Sequence, residues 1–103
     1  MTLELSTQGQ GAERTIVVRG DVDMDSSPDL RDEIKRHMKG VSVLKLDLRG
    51  VAYMDSSGIA VLIQGLRWAN QAKVDFRLVA PSPQVDGVIE LSQLQTVFKI
   101  ERA

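Results

Sequence analysis

The sequence predicts an α/β fold: a small, mixed, largely parallel β-sheet with three to four helices packed on it. Two observations support this prediction. Short runs of aliphatic and β-branched residues alternate with stretches of helical periodicity, in the order β-β-α-β-α-β-α-β. The chain has 103 residues, enough for one domain spanning 1–103. Strand–helix alternation favours right-handed crossovers onto parallel strands, with a mixed edge from the first hairpin.

The first two strands are predicted at the N-terminus. Leu3 and Leu5 alternate with polar residues, and a glycine-rich break at 9–11 follows. Every residue of Thr15–Val18 is β-branched, as is typical of a strand. The two segments are therefore expected to pair as a hairpin.

An acidic loop over Gly20–Ser27 leads to the first predicted helix. Ser27 is the expected N-cap and Pro28 the first helical residue. Gly40 is the expected stop. The apolar stripe that would face the sheet is formed by Leu30, Ile34 and Met38.

The next strand, from Val43 to Leu48, is nearly continuous in apolar character, which favours burial on both faces. Arg49–Val51 is expected to be a turn or an edge segment. The second helix is predicted over Ser57–Ala72, and the glycine inside it, Gly65, indicates close packing against a strand.

The C-terminal third predicts one more strand–helix–strand unit. Val74–Val79 alternates as a strand does, and a Pro-rich turn over 80–83 follows. The third helix is expected over Gln84–Leu91. Val97, Phe98 and Ile100 then form a short last strand.

Composition excludes several classes of function. There are 13 Lys and Arg against 14 Asp and Glu, a net charge of −1, so no basic excess exists for direct nucleic-acid binding. Cysteine is absent and there is one histidine, which excludes thiol nucleophiles and Cys-based zinc sites. We expect no cofactor and no resident metal. The longest apolar run, Ile59–Ile63, is too short for membrane insertion, and no signal peptide is visible, so a cytoplasmic location is expected.

The segment Asp55–Gly58, Asp-Ser-Ser-Gly, links a predicted buried strand to a predicted helix. Asp and Ser are preferred N-cap residues, and capping alone explains their presence. The same position also suits an added phosphate, because free N–H groups and the positive end of the helix dipole face it. Gly58 lacks a side chain, so a second protein could approach the hydroxyls closely.

A calcium-binding loop is an alternative interpretation of the acidic loop. Asp21, Asp23 and Asp25 have the spacing that starts a calcium loop. The glycine and glutamate that such a loop requires at its sixth and twelfth positions are replaced by Ser26 and Asp32. A solvated loop at the helix entry is the preferred interpretation.

The order strand, Asp-Ser-Ser-Gly-Ile, amphipathic helix, Val-Asp-Phe-Arg-Leu-Val strand resembles the STAS domain, and above all the small single-domain bacterial anti-sigma factor antagonists. Arg19–Asp23 resembles the Gly-Glu-Leu-Asp element of that family, and Ala80–Val85 its loop into the third helix. The end of the chain, Leu91–Ile100, resembles the family's closing Leu-x-x-x-Phe-x-Ile pattern. The resemblance covers nearly the whole chain in the right order.

The resemblance implies a phospho-switch. The anti-sigma factor, itself a serine kinase, would bind the unphosphorylated chain and phosphorylate Ser56; a serine phosphatase would restore binding. The implied contact residues are Asp21, Asp23, Asp55, Ser56, Ser57 and Gly58, in a monomer or weak dimer that is not an enzyme. The alternative role implied by the same fold is an accessory subunit of a lipid-transport ABC ATPase complex. A serine or nucleotide hydrolase is disfavoured, because the chain has neither a Gly-x-Ser-x-Gly elbow nor a Walker loop.

Overall fold

The computed structural model describes residues 3–102 and contains every predicted element in the predicted order. The described chain has three helices. The strands are β1 (Leu3–Gln8), β2 (Glu13–Val22), β3 (Val43–Met54), β4 (Asp75–Val79) and β5 (Lys99–Glu101). The helices are α1 (Ser27–His37), α2 (Ser56–Ala72) and α3 (Pro83–Leu91).

The five strands form one mixed sheet in the order β1-β2-β3-β4-β5. β1 and β2 pair antiparallel as the predicted hairpin, and all other neighbours pair parallel. This arrangement confirms the fold class and places the carboxyl ends of the parallel strands β2 and β3 side by side.

The helices cover one face of the sheet. Alternate residues of β3, namely Leu44, Leu46 and Leu48, are fully buried in the same core cluster as the helical stripe of α1. The residues between them, Lys45 and Asp47, are only half-buried. The expectation that β3 is buried on both faces is therefore wrong, because its polar residues lie on the face that no helix covers.

β3 continues where a turn was predicted over Arg49–Val51. Relative to β2, β3 contains one extra residue between Asp47 and Gly50 and another between Val51 and Tyr53. Each extra residue is a bulge that shifts the alternation by one position. The burial spacing accordingly changes from two to three, and Val51 and Met54 return to the core.

The first helix begins one residue earlier than expected. Ser26, not Ser27, is the N-cap of α1, while Ser27 is buried and Pro28 is the second helical residue. The predicted loop is also shorter than expected, because Gly20–Val22 belong to β2. The predicted stripe is confirmed: Leu30, Ile34 and Met38 are all in the core.

The uncovered face of the sheet carries a chain of ion pairs. Arg77 on β4 lies 2.6 Å from both Asp75 and Glu101. Lys45 lies 3.7 Å from Glu101 and 3.3 Å from Glu13, and Lys99 lies 3.2 Å from Asp75. Opposite charges on neighbouring strands stabilise a solvated sheet face.

Gly65 packs where the sequence predicted. A Cβ atom at Gly65 would lie 2.9 Å from Cζ of Phe76 on β4 and 3.4 Å from a methyl group of Ile34. The glycine therefore lets α2 lie close to both the sheet and α1.

Candidate functional site

The site lies where β2 and β3 end. Val22 and Met54, the last residues of the two strands, are partners in the parallel ladder. Beyond them the backbone N–H of Asp55 donates to the carbonyl of Val22 at 3.2 Å. The acidic loop that follows β2 is thereby held beside the first turn of α2, as parallel pairing of the two strands requires.

Asp55 is the N-cap of α2. Its Oδ1 accepts the backbone N–H of Ser57 at 2.9 Å and also the Ser57 hydroxyl. Its carbonyl accepts the N–H groups of Gly58 and Ile59. The capping interpretation is confirmed for Asp55, and Ser57 is the residue that its carboxylate bonds.

Ser56 is placed differently from its two neighbours. It is the first residue of α2 and is exposed, and within residues 3–102 its hydroxyl makes no hydrogen bond. The hydroxyl of Ser57 is half-buried and already bonded to Asp55. Of the two serines, Ser56 thus offers the accessible oxygen, at the positive end of a 17-residue helix.

Asp21 and Asp23 lie next to this helix start and have different environments. Asp21 is half-buried in β2, opposite Tyr53. Oδ1 of Asp23 accepts the backbone N–H groups of Asp25 and Ser26, each at 3.0 Å, and the hydroxyl of Ser26 at 3.1 Å. The bond from the Ser26 backbone is the main reason why the pKa of the Asp23 carboxyl is lowered, so this carboxylate also orders the loop.

Gly58 requires a correction. The residue is buried, and a Cβ atom there would lie 2.6 Å from Cγ of Met54 and 2.9 Å from a methyl group of Val22. The missing side chain therefore makes room for the core and not for a second protein. The reason that the sequence suggested for Gly58 is wrong, because the helical phase turns this position toward the sheet.

Two exposed hydrophobic side chains that sequence reasoning missed flank the site. Met24, in the acidic loop, is 77% exposed, and Tyr53, two residues before Asp55, is 48% exposed. The signal for Met24 was visible as a large apolar residue inside an otherwise acidic loop. Tyr53 could not be assigned, because its direction depends on the bulges of β3.

The described part of the chain offers no group of three or more His, Asp or Glu side chains that could hold a metal ion. Between residues 3 and 102 no helix is both long and apolar enough to cross a membrane. The arrangement at α2 instead combines an accessible hydroxyl, the positive end of the helix dipole, flanking carboxylates and exposed apolar side chains.

The chain matches a known protein family and curated relatives over most of its length. Residues 5–100 match the family described as "Mlab, STAS domain". A STAS-domain containing protein of Pseudomonas aeruginosa is 28% identical over 97% of this chain and 99% of its own length. An anti-sigma-B factor antagonist of Listeria monocytogenes is 27% identical over 84% of this chain and 76% of its own.

Solved structures share the fold. An anti-sigma factor antagonist from Mycobacterium paratuberculosis superposes with a TM-score of 0.89, covering 99% of this chain and 87% of that one at 21% identity. The Bacillus cell fate determinant SpoIIAA in its phosphorylated form superposes with a TM-score of 0.73, covering 96% and 90% of the two chains at 20% identity. The family match spans nearly all of the sheet and helices described above, and the chain belongs to the STAS domain family.

Proposed function

We propose that this protein is an anti-sigma factor antagonist that acts by binding rather than by catalysis, and that phosphorylation of Ser56 controls the binding. The proposed partner of the unphosphorylated chain is an anti-sigma factor that is also a serine kinase. A serine phosphatase reverses the modification. The observation that carries the proposal is the exposed hydroxyl of Ser56 at the start of α2, which forms no hydrogen bond within residues 3–102, in a chain whose relatives include anti-sigma-B factor antagonists.

The surroundings of Ser56 support it as the phosphate acceptor. A kinase must bring the γ-phosphate in line with an oxygen that is accessible and not held by another group. Ser56 meets this requirement, whereas the hydroxyl of Ser57 is bonded to the carboxylate of Asp55. The phosphate would then lie at the positive end of the α2 dipole, which limits its effect on the stability of the fold.

The same surroundings explain how phosphorylation would release a partner. The proposed contact surface contains Asp21, Asp23, Asp55, Ser56 and Ser57, with Met24 and Tyr53 as exposed apolar anchors. A phosphate adds about −1.5 to −2 charges at pH 7. Beside Asp21, Asp23 and Asp55 this group adds charge to a surface that is already negative and would also have to lose its hydration in the contact, which opposes binding.

The test uses an anti-sigma factor serine kinase captured from the host with the tagged, unphosphorylated chain as bait. Incubation with that kinase and Mg-ATP, followed by intact-mass and peptide mass spectrometry, should add one phosphate at Ser56. Ser57→Ala, which keeps the Ser56 hydroxyl, should still be modified, and Ser56→Ala should not. In calorimetry, Ser56→Ala should bind the kinase and Ser56→Glu should not. Modification elsewhere, or equal and tight binding of both Ser56 variants, would contradict the proposal.

The accessory-subunit alternative gives a different result in the same host. Co-purification of the tagged chain with an ABC ATPase subunit, together with no added phosphate on incubation with the kinase, would replace the proposed function with that role.

A further inference from the structure

A groove at the opposite end of the sheet from Ser56 has a distinct composition. It lies between the last turn of α1 and the last turn of α2, with a volume of about 450 Å³. Its apolar lining is formed by Met38, Val41, Trp68, Ala72 and Val74. α2 has 17 residues, so the end of α2 lies about 25 Å from Ser56. The groove volume of about 450 Å³ falls in the range typical of small-molecule sites, about 300–1,000 Å³.

The charged lining residues of the groove are cationic, and Gln71 adds an uncharged polar side chain. Lys35 and Lys39 are its only charged lining residues, and neither forms an ion pair in the described part of the chain. The Nζ atom of Lys35 lies 5.9 Å from the centre of the Trp68 ring, which keeps the ammonium group at the groove. Because the carbonyl ends of α1 and α2 are partially negative, the lysines and not the backbone supply the positive potential.

Trp68 is the central apolar residue of this groove. It is half-buried and packs against the core, and the rest of its ring lines the groove. The large exposed hydrophobic residues of the described chain, Met24, Tyr53, Leu91 and Val97, are not among the lining residues. The apolar area is thus confined to a concavity, as suits a small ligand better than the face of a second protein.

We propose that this groove binds a small amphiphilic anion, of the class of medium-chain carboxylates, with its carboxylate at Lys35 and Lys39 and its apolar chain along Trp68. The two cationic lining residues, Lys35 and Lys39, match a single anionic head, and the apolar lining formed by Met38, Val41, Trp68, Ala72 and Val74 matches an aliphatic tail. The site is distinct from Ser56, so its ligand would bind whether or not the proposed phospho-switch is correct.

The experiment uses decanoate as the probe and Trp68 as the reporter, since it is the one tryptophan in the chain. Titration below the concentration at which decanoate self-associates should change the Trp68 emission in a saturable way. Decylamine and decanol, which lack the negative head, should produce a much weaker change. Absence of saturation, or equal effects of all three compounds, would overturn the proposal.

Matched variants locate the site. Lys35→Gln combined with Lys39→Gln should raise the apparent Kd for decanoate about tenfold, because two charge contacts are lost. Arg49→Gln with Lys99→Gln removes two positive charges away from the groove and should leave the Kd unchanged. Ala72→Phe fills the groove at an exposed position without changing charge and should abolish saturable binding. Thermal melts check that each variant is folded, and unchanged binding in the Lys and Ala72 variants would refute the assignment.

Discussion

Oδ1 of Asp55 accepts both the backbone N–H and the hydroxyl of Ser57, whereas the hydroxyl of Ser56 has no hydrogen-bond partner within residues 3–102. One carboxylate thereby assigns different roles to two adjacent, chemically identical residues. Ser57 belongs to the helix cap, and Ser56 projects from the helix start as an accessible hydroxyl.

We expect the capping hydrogen bonds of Asp55 to contribute measurably to the free energy of unfolding. Asp55→Ala removes the acceptor for the Ser57 N–H and should lower the free energy of unfolding by about 1 kcal/mol in urea denaturation. Ser56→Ala is the matched control and should change it by less than about 0.5 kcal/mol, since that hydroxyl has no partner in residues 3–102. An equal loss in both variants would refute the division of roles.

The packing role of Gly58 predicts a destabilising Gly58→Ala substitution. The added Cβ would overlap the Met54 side chain and a methyl group of Val22, and overpacking of this kind costs about 1–3 kcal/mol. Gly87→Ala on α3 is the control, because a Cβ there meets nothing within 4 Å. It should stabilise the protein by about 0.4–1 kcal/mol through helix propensity and loss of chain entropy. Chemical denaturation compares the two, and a neutral Gly58→Ala would contradict the contact.

The ion pairs on the uncovered face of the sheet predict that the protein loses stability in acid. Hydrogen bonds from Arg77 are the main cause of the lowered pKa of both Asp75 and Glu101. A carboxyl group with a lowered folded-state pKa stabilises the fold above its ordinary pKa, and this contribution is lost as the pH falls toward the folded value. The free energy of unfolding should therefore decline below about pH 4, the ordinary range of Asp and Glu.

Asp75→Asn tests the origin of that decline. The variant should be less stable at pH 7 and lose less stability on acidification, because one of the three described carboxyl groups with a lowered pKa, Asp23, Asp75 and Glu101, is gone. Lys99→Gln should have a smaller effect, since it removes one donor to Asp75 and keeps both bonds from Arg77. Denaturation curves at pH 3 to 7 provide the measurement, and identical acid profiles of the wild type and Asp75→Asn would disprove the explanation.

We expect the exposed side chains of Met24 and Tyr53, beside Ser56, to contribute much of the binding energy for the proposed anti-sigma factor partner. Met24→Ala and Tyr53→Ala should each weaken binding of the proposed anti-sigma factor partner about tenfold or more, because large anchors at the centre of a contact dominate its affinity. The thermal stability of Met24→Ala should change little, since that side chain is 77% exposed, and that of Tyr53→Ala should fall only modestly, since Tyr53 is 48% exposed. Leu91→Ala, at an exposed hydrophobic site at the end of α3, should bind like the wild type. Wild-type affinity of both Met24 and Tyr53 variants would remove them from the surface.

Much of the fold could be predicted because it follows from local patterns of apolar and β-branched residues. The stripe of Leu30, Ile34 and Met38 and the β-branched run at Thr15–Val18 reflect periodicities that hold in any context. The errors were at β3 and at the start of α1. A bulge becomes visible only when the partner strand is in place, and Ser26 and Ser27 are equally good N-cap residues in isolation.

By itself, the sequence determined the element order, the mixed α/β class, the Asp-Ser-Ser-Gly motif at a helix start and the single tryptophan. Only the tertiary structure decided which serine is free, where Gly58 points and that Trp68 lines a groove beside Lys35. The physical reason is the distance along the chain over which each effect acts. Propensity and periodicity act over a few neighbouring residues, whereas side-chain direction and hydrogen-bond partners depend on the packing of strands and helices that are distant in the chain.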